Sequence, residues 1–125
     1  MSKSAYNHSL QDRLLQIEES ISIIIERCID IHSPEDFLLT SGNVMIFDSC
    51  VMRLQSIGEQ VGKILKIENN PLLSFPEIPW KAIYGMRNFI SHEYANIDET
   101  VIYSTIREDL PAVLSAISSM LKDFE

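Results

Sequence analysis

Cysteine and glycine are both scarce in this sequence, with two cysteines and four glycines among 125 residues. Two cysteines 22 positions apart, outside any CxxC pair, do not make a disulfide framework or a Cys/His metal cluster. The low glycine count, with only five prolines, excludes collagen-like and low-complexity chains. Because Cys28 and Cys50 both fall on apolar helical stripes, we expect ordinary buried thiols in a reducing, cytoplasmic setting.

Basic residues are also in the minority, since 10 Lys and Arg face 18 Asp and Glu and the formal net charge is -8. A general nucleic-acid coat, or a protein held on anionic lipid by its charge, carries the opposite sign. If this protein binds nucleic acid, a few local cations must do so against an unfavourable overall field. An acidic surface also suits docking on a basic protein.

Long apolar runs are missing as well. The longest candidate, residues 21–25, is too short to span a bilayer, and Glu26 and Arg27 follow it at once. The first residues lack the apolar run of a signal peptide, so we expect no membrane association. In their place are 46% hydrophobic and 22% charged residues, the composition of a soluble globular protein, in a length that fits one domain, residues 1–125.

Apolar residues recur at steps of three and four, which is typical of α-helices, and no stretch alternates with period two. A third helix is expected from Trp80 to about Tyr94, and Asp98 can cap a fourth. The predicted apolar stripes are Leu10, Leu14, Ile17, Ile21, Ile24, Cys28 and Ile31; Val44, Phe47, Val51, Leu54, Gly58, Val61 and Leu65; Ile83, Met86 and Ile90; and Ile102, Ile106, Leu110, Val113, Ile117, Leu121 and Phe124. Gly58 lies on the second stripe itself, which indicates close approach of a neighbouring helix.

Proline positions predict how the helices begin and end. Ser33 and Pro34 are typical of the start of a short extra helix, with the serine as its cap. The three prolines within residues 69–79 predict a long connection. Pro111 falls inside the last helix, where we expect a kink, or a break with Asp109 as a new cap. The sequence therefore predicts an all-α fold, an antiparallel four-helix bundle with a short extra helix after the first helix and a kinked last helix.

The third helix carries polar side chains where chemistry is possible. Asn88 and His92 are one turn apart and share a face, whereas Arg87 and His92 diverge by about 140° on an ideal helix. Two copies of the chain across a two-fold axis could bring both kinds of side chain into one cleft. Arg and His near a helix C-terminus are also favoured by the helix dipole alone, so a structural role stays open on spacing alone.

The other two histidines carry less signal. His8 lies near the N-terminus and His32 ends the first helix, and we interpret both as structural or solvent-exposed. No carboxylate or histidine pair recurs at ligand spacing outside the third helix, so we expect no metal site.

Residues 87–94, Arg-Asn-Phe-Ile-Ser-His-Glu-Tyr, match the Arg-x4-His-x-Tyr signature of the HepT-like toxins, a branch of the HEPN superfamily of helical ribonucleases. The resemblance extends in the same order over most of residues 10–121. Its further segments are Arg53–Glu59, which resembles the family's second-helix segment, Trp80–Met86, which resembles its lead-in to the arginine, and Asp109–Pro111, which resembles its fourth-helix proline.

This resemblance implies a metal-independent RNA endonuclease without a cofactor, acting as the toxin of a type VII-like toxin–antitoxin pair. RNA supplies the 2′-hydroxyl nucleophile, so His92 would transfer protons near neutral pH and Arg87 would hold the scissile phosphate. Asn88 would orient the imidazole or bind a phosphate oxygen. In such toxins the tyrosine of the motif, here Tyr94, accepts AMP units that a nucleotidyltransferase antitoxin transfers from ATP.

The partners implied are the RNA substrate, the antitoxin and a second copy of the chain. We expect a homodimer with the third helices facing each other near the two-fold axis, alone or within a larger complex with the antitoxin. Two alternatives stay open, a non-catalytic HEPN module that binds a nucleotide or a protein, and a plain structural bundle. The acidic charge slightly favours these two, whereas the intact Arg-x4-His pair favours the ribonuclease.

Overall fold

A computed structural model describes residues 3–125, with the side chains of residues 9–125 other than Tyr94. Across that span the elements are helical and none is a strand, which confirms the all-α prediction. The α-helices are α1 (Lys3–Arg27), α2 (Ser41–Leu65), α3 (Trp80–His92), α4 (Glu99–Ser104) and α5 (Leu110–Leu121). Short 3-10 turns lie at Pro34–Leu38, Pro71–Ser74, Tyr94–Asn96 and Lys122–Phe124, and a π-helical segment, Thr105–Asp109, joins α4 to α5 as one bent fourth helix.

Side-chain contacts show that neighbouring helices run in opposite directions. Arg13 in the first half of α1 donates to Gln60 in the second half of α2 at 2.9 Å. Cys28, just past the end of α1, contacts Cys50 in the first half of α2 at 3.3 Å, so the two helices run in opposite directions. α1 and the fourth helix are also antiparallel, as the contacts of Glu18 with Ser118 and of Ile31 with Arg107 show. The same holds for α2 and α3, where Gln55 contacts Ser91 and Gly62 lies against Tyr84. These registers confirm the predicted antiparallel helical bundle. Within the described chain, no helix is both long and apolar enough to cross a membrane.

The core forms where the predicted stripes meet. Every member of the first stripe is buried, and Cys28 and Ile31 remain in the core just beyond the end of α1. The α2 stripe is correct in its middle but too narrow, because Cys50, Ile57 and Ile64 are buried as well. Since α2 packs against both α1 and α3, it buries two adjacent faces rather than one.

Two local expectations need correction. Ser33 precedes the predicted short helix, Pro34–Leu38, but its side chain makes no capping hydrogen bond. Asp109 does not cap a second helix either. The fourth helix instead widens into its π-helical segment, in which the Leu110 N–H bonds the Thr105 carbonyl five residues back. Widening by one residue is a way to pass Pro111, which has no N–H to donate and whose ring crowds the preceding turn.

Gly58 lies at a close approach of α2 and α3, as its position on the stripe predicted. A Cβ placed on Gly58 would lie 3.0 Å from the Ile83 carbonyl oxygen and 3.2 Å from the backbone nitrogen of Arg87. One turn later, a Cβ on Gly62 would overlap the ring of Tyr84. Gly58 therefore lets the α3 backbone lie directly on α2 at the position of Arg87, and Gly62 makes room for the Tyr84 ring.

This contact predicts opposite effects of the same substitution at two helical glycines. Gly58→Ala should lower the free energy of unfolding by about 1–2 kcal/mol, because the neighbouring backbone must move to admit the methyl group. Gly85→Ala, whose Cβ would have no atom within 4 Å, should raise it by about 0.5–1 kcal/mol through helix propensity. Urea unfolding of both variants measures the difference. Equal effects would mean that α2 and α3 are not held in this contact.

Candidate functional site

The polar half of α3 faces outward because the other half is anchored in the core. Trp80, Ile83 and Ile90 are buried, and their spacing turns one stripe of α3 toward α2. Arg87 and His92 lie off that stripe and are exposed. The predicted third member of the stripe, Met86, is only half-buried and belongs to its edge, as does Tyr84.

Hydrogen bonds hold both ends of α3. At its start the indole N–H of Trp80 donates to the Phe75 carbonyl oxygen at 3.0 Å, which ties the helix to the proline-rich connection. Near its end the side-chain amide of Gln55 on α2 donates to the hydroxyl of Ser91 at 3.1 Å. Because Ser91 directly precedes His92, this bond links α2 to the turn of α3 that carries the imidazole.

The structure brings some of the candidate residues together and separates others. Asn88 and His92 are one turn apart on the exposed side of α3, as their spacing predicted. Arg87 lies beside Asn88 and diverges from His92, so one chain does not place the guanidinium against the imidazole. Among the described side chains, none is hydrogen-bonded or ion-paired to Arg87, Asn88 or His92. The guanidinium is therefore available to an anion from outside this chain.

A cleft of about 510 Å³ lies next to this end of α3, between α2 and the segment that follows α3. Gln55 lines it on one side and Ile90 on the other, whereas Arg87, Asn88 and His92 lie outside its lining. The cleft thus adjoins the candidate catalytic residues but does not contain them.

The rim of this cleft exposes apolar side chains that the sequence analysis did not anticipate. Val44, which we expected in the core, is 38% exposed, and Met52 is 70% exposed. Leu38 also lines the cleft, and Leu39 and Met45, each next to a lining residue in the sequence, are exposed as well; these five residues are called the apolar patch below. Met45 and Met52 are seven residues apart and therefore share a face of α2. This spacing was the signal in the sequence that could have predicted the exposed apolar face.

Two of the sequence-based interpretations fall on side chains outside the described part of the structure, those of Tyr94 and His8. The backbone of Tyr94 is described, and it begins the 3-10 turn that follows α3, two residues after His92. His32 is exposed, as expected, and its backbone N–H donates to the Asp36 carboxylate at 2.8 Å. That hydrogen bond lowers the pKa of Asp36 and holds the turn that follows α1.

Among the residues that the structure describes, no three His, Cys, Asp or Glu side chains are grouped so that they could hold a metal ion. The chemistry within reach of α3 is that of a guanidinium, an imidazole and a carboxamide, which suits anion binding and proton transfer.

Comparison with known proteins is consistent with this chemistry. Residues 17–120 match the model of a family described as ribonuclease HepT-like. A protein of Thermococcus cleftensis named "Probable ribonuclease HepT" is 31% identical over 114 residues, which cover 91% of this chain and 97% of the relative. A protein of Methanocaldococcus jannaschii that is named as a candidate RNase is 33% identical over 100 residues, which cover 80% of this chain and 85% of the relative. No solved structure gives a significant match.

Proposed function

Because the chain belongs to the HepT-like ribonuclease family, we propose that it is a metal-independent RNA endonuclease whose active residues are Arg87 and His92 of α3. The observation that carries the proposal is the exposure of both side chains on one rigidly held helix, without partners among the described side chains. Because Arg87 has no partner among the described side chains, its guanidinium donors are available to a phosphate from outside the chain.

The reaction proposed uses the substrate's own nucleophile. His92 accepts the proton of a ribose 2′-hydroxyl, whose oxygen attacks the adjacent phosphorus, and the bond to the 5′-oxygen of the next nucleotide breaks. A protonated imidazole supplies the proton that this leaving oxygen needs. Arg87 holds the non-bridging phosphate oxygens by paired hydrogen bonds and offsets the charge that develops on them. Asn88, one turn before His92, orients the imidazole or donates to a phosphate oxygen.

Cleavage in the presence of EDTA tests this proposal directly. We expect the purified chain to cut RNA under chelation, and Arg87→Ala and His92→Ala each to abolish cutting. The matched controls are Arg27→Ala and His32→Ala, which remove the same types of side chain from other exposed positions and should leave cleavage intact.

Thermal unfolding separates a lost active site from a lost fold. The two site variants should unfold within about 0.5 kcal/mol of the wild type, because exposed side chains leave no cavity. Leu54→Ala, at a site 2% exposed, should cost about 2–5 kcal/mol. No cleavage at protein excess, or site variants as unstable as Leu54→Ala, would contradict the ribonuclease assignment.

We further propose a homodimer in which the α3 helices of two copies approach each other. Arg87 and His92 diverge by about 140° within one chain, and a two-fold axis would place the arginine of one copy near the histidine of the other. The apolar patch around the cleft borders this end of α3 and is the kind of surface that an isologous contact buries.

Charge placed on that patch should break the dimer and the activity together. Met52→Glu is expected to give a monomer by light scattering at micromolar concentration and to lose RNA cleavage. Ile29→Glu is the matched control, since Ile29 is 72% exposed against 70% for Met52 and does not line the cleft. A wild-type monomer that cuts RNA, or a Met52→Glu dimer, would exclude the composite site.

The chain is proposed to act as a toxin that an antitoxin neutralises by modifying Tyr94. In this step the tyrosine oxygen attacks the α-phosphorus of ATP, pyrophosphate leaves and the phenolic proton is lost. The backbone of Tyr94 lies two residues beyond His92, so an attached AMP would bring negative charge and bulk close to Arg87 and His92. That phosphate would compete with RNA for the guanidinium.

Intact-protein mass spectrometry of the toxin co-expressed with a nucleotidyltransferase antitoxin tests the modification. We expect AMP on the wild type and none on Tyr94→Phe, which should keep its RNase activity in the presence of antitoxin and ATP. Tyr84→Phe and Tyr103→Phe are the controls and should still be modified. An unmodified wild type, or AMP mapped to Tyr84 or Tyr103, would contradict the assignment.

A non-catalytic module is the second candidate, and the net charge of -8 favours it because RNA approaches against this field. In that case the chain would bind RNA or a nucleotide through Arg87 without cutting it. Binding that disappears in Arg87→Ala, with no cleavage of any RNA, would replace the ribonuclease proposal with this one.

A further inference from the structure

The two cysteines, remote in the sequence, are in contact in the fold. The Sγ atoms of Cys28 and Cys50 lie 3.3 Å apart, and the two residues are 8% and 0% exposed. Their burial confirms the expectation of buried thiols, but their contact depends on the antiparallel register of α1 and α2. Neither thiol has a place in the proposed RNA chemistry on α3.

Cys28 is reachable from solvent through a surface cavity. The cavity, of about 280 Å³, is bordered by Cys28 and Arg107 and by the side chains of Ile25 and Ile29, which are themselves exposed. A molecule as small as hydrogen peroxide fits such a space. Cys50 does not line this cavity and lies behind Cys28.

Arg107 is held beside Cys28 by contacts of its own. Its guanidinium donates to the Ile31 carbonyl oxygen at 2.8 Å and lies 5.4 Å from the ring centroid of Tyr103. The hydrogen bond from the Cys50 thiol and the charge of Arg107 lower the pKa of Cys28, whereas that hydrogen bond and burial raise the pKa of Cys50. The more accessible thiol is thus the one whose thiolate is stabilised.

We propose that Cys28 and Cys50 form a peroxide-responsive pair, in which Cys28 is the site of oxidation and Cys50 closes an intramolecular disulfide. The proposal concerns the α1–α2 face of the bundle and does not depend on the ribonuclease assignment. It rests on the contact of the two sulfurs, the cavity at Cys28 and the guanidinium beside it.

The reaction proceeds in two balanced steps. The Cys28 thiolate attacks one oxygen of hydrogen peroxide, the O–O bond breaks, and a sulfenic acid and hydroxide form. Cys50 sulfur then attacks the Cys28 sulfur, and the S–O bond breaks. The departing hydroxide takes the Cys50 proton as water. The hydroxide from the first step takes up the proton that the Cys28 thiol released on ionising, so overall two thiols are oxidised and one peroxide is reduced to two waters. The sulfurs need to approach by only about 1 Å to reach bonding distance.

The disulfide would restrain one wall of the cleft beside α3. It would close the loop between residues 28 and 50, which contains the Pro34–Leu38 turn and the first part of α2. Leu38, Val44 and Phe47 lie in that loop and line the cleft. Cross-linking residues 22 apart also limits the freedom of the unfolded chain.

Peroxide treatment of the reduced, folded protein tests the proposal. We expect the two free thiols to fall to none, the intact mass to drop by two hydrogens, and the unfolding temperature to rise by about 10 °C, all reversed by dithiothreitol. In Cys50→Ala, Cys28 should stop at a sulfenic acid that dimedone traps. In Cys28→Ala, Cys50 should stay unreacted. Arg107→Met should slow the wild-type reaction.

The wild-type experiment also decides against the proposal without relying on any variant to fold. If both thiols survive peroxide in the folded chain but disappear once urea unfolds it, the pair is an inert core contact. Disulfides between two chains, or dimedone on Cys50 as fast as on Cys28, would equally overturn it.

Discussion

The contact between α2 and α3 at Gly58 is the constraint on which the arrangement of the candidate site depends. Because this residue has no side chain, the carbonyl oxygen of Ile83 and the backbone nitrogen of Arg87 come within 3.0 and 3.2 Å of where a Cβ would stand, closer than ordinary van der Waals contact. Core side chains on α3 then hold the helix in place, and the Gln55 to Ser91 hydrogen bond secures its last turn. The exposed face of α3 follows from this docking, and with it the directions in which Arg87 and His92 project.

Stability and the proposed chemistry are carried by different faces of the same helix. The buried face contributes apolar packing, with Ile83 and Ile90 at 4% and 1% exposure, while the exposed face carries polar groups that the core does not need. A rigid helix is a more precise support for such groups than a loop. In an acidic protein this separation also matters electrostatically, since a guanidinium that has no acidic partner among the described side chains keeps its hydrogen-bond donors available to a phosphate.

Sequence patterns predicted the helices more accurately than they predicted which helix surfaces are covered by neighbouring helices. The α1 stripe was correct throughout, and the Asp98 cap is present, its carboxylate accepting from the Thr100 N–H at 2.8 Å. Val44 was misplaced because a period of three or four residues identifies a helix but not how many neighbours cover it. Pro111 correctly signalled an irregular last helix, but a kink, a break and a π-helical turn all relieve the same steric conflict, and its position in the sequence does not choose among them.

The sequence by itself determined the features that depend on residues close together along the chain. Helical periodicity, the angular separation of Arg87 and His92, and the motif that relates the chain to a ribonuclease family all follow from spacings of a turn or two. Only the tertiary structure decided that Cys28 meets Cys50, that Gln55 holds the residue before His92, and that Met52 borders a cleft. These pairings join residues tens of positions apart. They depend on the register in which antiparallel helices pack, which is set by the fit of whole helix surfaces and not by any local pattern.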